Sequence, residues 1–274
     1  MRVSVIQMNS RDDKAANLAA AEALVGEAVR EDRPDLVVLP EVWVLMGGDA
    51  AAKWAAAEPL GEEGEAWRLM RDLARGHRIL VHGGSILERD PAADRLYNTT
   101  VAFDRDGREL ARYRKIHLFD ITAPDGRDYR ESATFARGRE VVTYTAEGLR
   151  VGCSICYDLR FGELYRALVA LGAELLPVPA AFTLQTGKDH WEVLLRARAI
   201  ETQCWVAAAA QWGPHPAGRE ERWCWGHSLI VDPWGHVVAR ASDGPGFATA
   251  RIDRARLARV RRDLPVGEHR VLGG

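Results

Sequence analysis

The chain has 274 residues, 47% hydrophobic and 28% charged, with 37 basic side chains against 39 acidic ones. That length can bury a large core, and those fractions are ordinary for a globular protein, which excludes a disordered chain. Opposite charges nearly cancel and alternate along helical stretches, so no nucleic-acid partner is expected; no apolar run approaches a bilayer span and the chain enters a strand-like segment at once, so no membrane partner is expected either.

Residues 2–8 read as a buried strand, and an alanine-rich stretch, 13–30, reads as a helix. Leu36-Val37-Val38-Leu39 is wholly apolar, the pattern of a strand covered on both faces, and it stops at Pro40-Glu41. A second helix is expected over 62–77 and a strand over 79–87. Strands 97–103 and 109–113 flank Asp104-Arg105-Asp106-Gly107, a hairpin turn. The same logic pairs 143–145 with 149–155 around Ala146-Glu147-Gly148.

A helix follows Cys156 to about residue 171, then an apolar strand, 175–178. Residues 190–204 are strongly helical, with Val193, Ala197, Ile200 and Cys204 at near-helical spacing and Glu192 placed to pair with Arg196. Strand-like 205–211 precedes a hairpin of 229–231 and 237–239 around Asp232-Pro233-Trp234-Gly235. Strand 247–252 and basic helix 254–262 follow. Hairpins among helical crossovers favour mixed sheets with helices outside, and no linker or repeat divides residues 1–274, which read as a single domain.

Glu41, Lys115 and Cys156 each follow an expected strand, and strand ends are where α/β sites assemble. The chemistry is coherent. A carboxylate can take a thiol's proton, and an ammonium can stabilise first the thiolate and then a tetrahedral oxyanion, together with the backbone N–H of Tyr157. Each residue alone has a plainer reading. Glu41 fits a helix-starting turn, Lys115 an exposed strand end, and Cys156 a core packing position. The turn at Cys156 is expected to present the thiol rather than bury it.

Cys153 and Cys156 also form a C-x-x-C pair. On a strand these side chains would face opposite ways, which disfavours a redox pair, and Cys204 and Cys224 do not complete a zinc pattern. Four scattered cysteines in so long a chain suit a reducing, cytoplasmic setting. His117 and His227 have no feature placing them near Cys156 and are read as structural.

With these residues in view, the chain from Val3 to about Pro265 resembles the nitrilase superfamily of carbon–nitrogen hydrolases. Leu39-Pro40-Glu41 is similar to the general-base motif, Tyr113-Arg114-Lys115-Ile116-His117-Leu118-Phe119-Asp120 to the lysine motif, and residues 152–163 to the nucleophile motif. The resemblance implies a four-layer αββα sandwich with mixed sheets and a Cys156-Glu41-Lys115 triad. It also implies a second glutamate, Glu131, orienting the lysine or the substrate. No metal or organic cofactor is implied, because side chains supply nucleophile, base and electrophile.

Residues 190–204 and the Gly226-His227-Ser228 and Val231-Asp232-Pro233-Trp234-Gly235 segments resemble the Nit branch of the superfamily. That branch implies an amide substrate with a carboxylate or keto-acid end, deaminated glutathione first and 2-oxoglutaramate next, with N-carbamoyl hydrolysis or a non-catalytic scaffold as further alternatives. Arg160, Phe182 and Thr186 match the branch's substrate pocket, Phe182 being also a core candidate and Thr186 a helix cap. A homodimer or larger homo-oligomer is a further implication. Two departures stand out: Gly162 replaces the branch's usual proline, and the tryptophan-rich stretch 212–225 is longer than usual, placed to line a pocket mouth or an interface.

Overall fold

The computed structural model describes residues 1–123, 126–217 and 220–271. Strand β1 (Arg2–Gln7) leads to helix α1 (Lys14–Asp32), which Asp13 caps by accepting the Ala16 N–H at 3.0 Å. Next come β2 (Leu36–Val38), the short helix α2 (Ala50–Ala56) and α3 (Glu65–His77). The strand expected over 79–87 is two strands, β3 (Leu80–His82) and β4 (Ile86–Glu88).

The break between them has a steric cause. Gly84 has φ +61°, and a Cβ there would lie 2.0 Å from the Pro40 carbonyl oxygen, so only glycine lets these backbones approach. This bend carries the turn that presents Glu41.

Strands β5 (Tyr97–Phe103) and β6 (Glu109–Arg114) form the expected hairpin, followed by a small ribbon of β7 (Asp120–Thr122) and β8 (Asp128–Arg130). Beyond β9 (Thr143–Ala146) and β10 (Leu149–Gly152) come α4 (Gly162–Ala170), β11 (Leu175–Ala180), α5 (Leu184–Thr202) and β12 (Trp205–Ala210). A second ribbon, β13 (Trp212–Ala217) with β14 (Glu220–Trp225), was not expected from sequence, since prolines at 214 and 216 argue against a strand. They are tolerated because this two-stranded ribbon has edges on both sides. Strands β15 (Leu229–Val231), β16 (Val237–Arg240) and β17 (Gly246–Arg251) and helix α6 (Arg254–Asp263) follow.

Two mixed sheets organise the described residues. One runs β17-β1-β2-β3-β5-β4 with β6 on β5; the other runs β16-β15-β12-β11-β10-β9. Strand alternation divides their side chains cleanly. Val3, Val5, Leu36, Val38 and Leu80 face the second sheet and share a core with Val151, Leu175 and Ala208. Ile6, Val37, Leu39 and Val81 turn the other way, onto Ala21, Val25 and Ala28 of α1 and Met70 and Leu73 of α3. Leu164 and Leu168 of α4 and Trp191, Leu195 and Ala199 of α5 cover the second sheet. The order is helix, sheet, sheet, helix: the four-layer αββα sandwich that the resemblance implied. Burial of a leucine or valine contributes roughly 2 kcal/mol, so strands apolar on both faces belong between layers.

Two expectations need correction. Helix α5 begins at Leu184 rather than 190, capped by Thr183, and it buries Trp191, Leu195, Arg198, Ala199 and Thr202. Val193 and Ile200 instead lie on its outer face, 67% and 49% exposed. Strand β10 stops at Gly152, so Cys153 and Cys156 do not share a strand and the alternation argument does not apply to them.

Candidate active site

Strand β2 runs parallel to β3, and β3 is antiparallel to β5, itself antiparallel to β6. The C-terminal ends of β2 and β6 therefore open on one edge, bringing Glu41 and Lys115 together. The Glu41 turn is pinned from three sides. Ser85 N–H donates to the Pro40 carbonyl at 3.1 Å, Val42 N–H to the Ser85 hydroxyl at 3.0 Å, and Trp43 Nε1 to the Gly83 carbonyl at 2.8 Å. Val42 has φ +44°, a conformation that a β-branched residue adopts only under such restraint.

Lys115 Nζ donates to Glu41 Oε1 at 2.9 Å and to Glu131 Oε1 and Oε2 at 3.1 and 2.9 Å. Its side chain is only 2% exposed. Burial alone would lower the ammonium's pKa, but the charges of Glu131 and then Glu41 outweigh it and push the pKa well above the usual lysine value. Glu131 is no free loop carboxylate. It starts a 3-10 turn after β8 and also accepts the Phe119 N–H at 2.6 Å.

Cys156 follows three irregular residues after β10 and opens a 3-10 turn with φ +47°. The turn does not expose the thiol to bulk water; Cys156 is 7% exposed, on a cavity floor. Burial first, then the charge of Glu41, push its pKa well above the usual thiol value, while Lys115 and the Ala181 backbone favour the thiolate. These influences favour the neutral thiol, with the Glu41 carboxylate beside it. Tyr157 comes second in the turn, so its N–H has no partner within that turn. A donor left free by its own turn, next to a thiol and with an ammonium close by, can stabilise a developing oxyanion.

Above this floor lies a cavity of about 400 Å³, within the range for small-molecule sites. Arg160, Phe182 and Thr186 all line it. The Arg160 guanidinium lies 5.4 Å from the Phe182 ring centre and 3.3 Å from His190 Nδ1, with no carboxylate partner among the described residues. Thr186 shares a hydroxyl contact of 2.8 Å with Thr183, and it is Thr183 that caps α5. The tryptophan-rich stretch supplies His215, Pro216, Arg222, Trp223 and Cys224 to the same wall.

A carbon–nitrogen hydrolase model matches residues 2–262. The chain belongs to the carbon–nitrogen hydrolase family. It is 43% identical to a deaminated glutathione amidase of Synechocystis sp., over 98% of this chain and 97% of that relative. It is likewise 43% identical to the deaminated glutathione amidase of Homo sapiens, over 98% of this chain and 81% of that protein. The solved structure of a Saccharomyces cerevisiae member of branch 10 of the nitrilase superfamily superposes with a TM-score of 0.89 at 31% identity, covering 99% of this chain and 97% of that one.

Sequence reading missed four polar residues of this carbon–nitrogen hydrolase. Asn98 Nδ2 donates to Glu41 Oε1 at 2.9 Å and to Glu131 Oε1 at 3.2 Å, so it fixes both carboxylates. Its signal was a polar run, Asn98-Thr99-Thr100, inside an expected strand. Asp158, fully buried, accepts the Ile155 N–H at 2.9 Å and Tyr113 Oη–H at 2.6 Å. Lys53 and Arg222 reach the cavity from α2 and β14, elements that the sequence did not reveal. His117 serves Asp158 and His227 lies 3.6 Å from Asp243, in keeping with structural roles. All four cysteines are free and buried; Cys153, enclosed between the sheets, has its thiol pushed up to about 12 by burial. Among the described residues no helix is long and apolar enough to cross a membrane.

Proposed function

We propose that this carbon–nitrogen hydrolase is a cysteine-dependent amidase whose substrate is deaminated glutathione, cleaved to 2-oxoglutarate and cysteinylglycine. One observation carries the reading: a buried ammonium, Lys115, contacts two carboxylates and lies close to the Cys156 thiol on the floor of a cavity that also holds Arg160. The relatives' names support the choice of substrate.

Glu41 takes the thiol proton of Cys156 as sulfur attacks the amide carbonyl carbon. Negative charge gathers on the carbonyl oxygen, where Lys115 Nζ and the Tyr157 N–H stabilise it. The intermediate collapses, the carbon–nitrogen bond breaks, and Glu41 returns the proton to the departing amine. That leaves a thioester on Cys156. Glu41 then deprotonates a water that attacks the thioester, the acid is released and the thiol regains its proton. Glu131 and Asn98 hold Lys115 and Glu41 in register throughout. Arg160, free of any acid partner among the described residues, takes the carboxylate of the keto-acid end as a planar fork, beside Phe182 and Thr186.

The outer face of α5 supports a homodimer, since Val193, Ile200 and the neighbouring Trp234 and Val238 are all exposed apolar groups. The test of function is an assay that identifies the amine released from deaminated glutathione, 2-oxoglutaramate and an N-carbamoyl amino acid. Cysteinylglycine from the first, absent with Cys156→Ala, is the expected result. Preferential release of ammonia from 2-oxoglutaramate would replace the substrate, and retained turnover by Cys156→Ala would overturn the mechanism.

A further inference from the structure

Lys53 and Arg222 stand out because nothing in the catalytic cluster needs them. Both line the cavity. The acids near them are already engaged. Glu131 is held by Lys115, Asn98 and the Phe119 N–H, Asp128 receives the Thr122 hydroxyl and Arg130, and Asp49 caps α2 through the Ala52 N–H. Neither Lys53 nor Arg222 has an ion-pair partner among the described residues. Arg222 rests over the Tyr129 ring at 4.5 Å, and its Nε is buried with no hydrogen-bond partner.

Two cations held together in a half-buried wall are unfavourable unless something negative joins them. Burial lowers the Lys53 pKa; the Glu131 charge opposes that shift, the Arg222 charge adds to it, and Asp49 opposes it more weakly. His215, beside Arg222 on the same ribbon, is held neutral near pH 7, its pKa lowered to about 4 by burial and then by Arg222, so it adds no third charge. An orphaned guanidinium nitrogen together with like-charge repulsion is the signature of an anion site.

We propose that Lys53 and Arg222 bind a carboxylate on the leaving amine, so that this enzyme selects amides carrying an anion on each side of the scissile bond. The inference rests on the amidase reading above and deepens it. Arg160 takes the acyl-side carboxylate, and the α2 and β13–β14 pair takes the other. Each contributes charge-assisted hydrogen bonds that are stronger to a carboxylate than to a neutral group. The extended tryptophan-rich ribbon serves this second anion site by carrying Arg222 to the cavity.

The test is binding to the Cys156→Ala protein, measured by calorimetry without turnover. Two probes are compared: deaminated glutathione, and the same compound with its glycine carboxylate capped as an amide. The acid is expected to bind at least about tenfold tighter than the amide. In Cys156→Ala combined with Lys53→Gln or Arg222→Gln, that preference ratio should collapse toward one. A purely structural role would weaken both probes alike and leave the ratio intact, which overturns the proposal, as does equal affinity in the parent protein. Failure of the parent enzyme, with Cys156 intact, to cleave deaminated glutathione would refute the proposed function separately, and the binding ratio would still decide the anion site.

Discussion

The Asp158 carboxylate accepts the His117 backbone N–H at 3.0 Å and faces His117 Nδ1 at 2.7 Å. Lys115 lies two residues from one partner and Cys156 two from the other, so this contact ties the lysine strand end to the cysteine turn across the two sheets. The His117 ring stacks on Phe161 at 3.7 Å and closes the turn from outside.

Asp158→Asn turns one acceptor oxygen into a donor among four donors that need acceptors. The expected cost is about 3 kcal/mol of stability, with a fall in kcat exceeding that in KM, because the nucleophile and the ammonium lose their common anchor. Urea unfolding and steady-state kinetics check this. A fall in stability with unchanged kcat would limit Asp158 to a structural role.

Glu41→Gln separates two properties that usually fall together. Burial and then the Glu41 charge raise the Cys156 pKa, against Lys115. Removing the charge leaves Lys115 to favour the thiolate, so iodoacetamide should alkylate Cys156 several-fold faster near neutral pH while turnover is lost with the base. Slower alkylation than in the parent would contradict this electrostatic account.

His82, wholly buried between the sheets, faces the Tyr144 hydroxyl at 3.0 Å, and burial lowers its pKa from 6.5 to about 3. The folded state therefore refuses a proton that the unfolded chain accepts. Its stabilising contribution is present above pH 6.5 and lost progressively as pH falls from there toward 3. In His82→Asn, unfolding in that window should take up about one proton fewer, read from the slope of stability against pH. An unchanged slope would assign the acid sensitivity elsewhere.

Gly162 is the first residue of α4, and a Cβ there would have the Arg198 and Glu201 side chains as its nearest neighbours, none closer than 3.6 Å. Phe161 before it is extended, at φ −109° and ψ 91°, as a residue preceding proline must be. Gly162→Pro should stabilise the fold by about 0.4–1 kcal/mol, by restricting the unfolded chain. A rise in the urea midpoint without a change in slope is the expected readout; destabilisation would show that the glycine conformation is needed.

Local pattern alone identified the apolar strands at 36–39 and 175–178, the hairpin around Asp104 to Gly107 and the helices on either side, because burial and turn chemistry are written in neighbouring residues. It also marked Glu41, Lys115 and Cys156 as strand-end groups, and their common edge follows from strand direction. Other features depend on partners distant in sequence. The break at Gly84 exists because Pro40 crosses it, and Val193 faces outward because Trp191 and Leu195 find the second sheet first. Lys53 and Arg222 reach the cavity on a short helix and on a strand paired with a proline-bearing one, neither of which carries a strong periodic signal. Sequence by itself determined the layers and the three groups at their edge; only tertiary structure decided that burial raises the thiol's pKa, that Glu131 grips the lysine while Asn98 ties Glu131 to Glu41, and which cations remain without a counter-charge among the described residues, since charge and solvation are set by whatever the fold packs beside them.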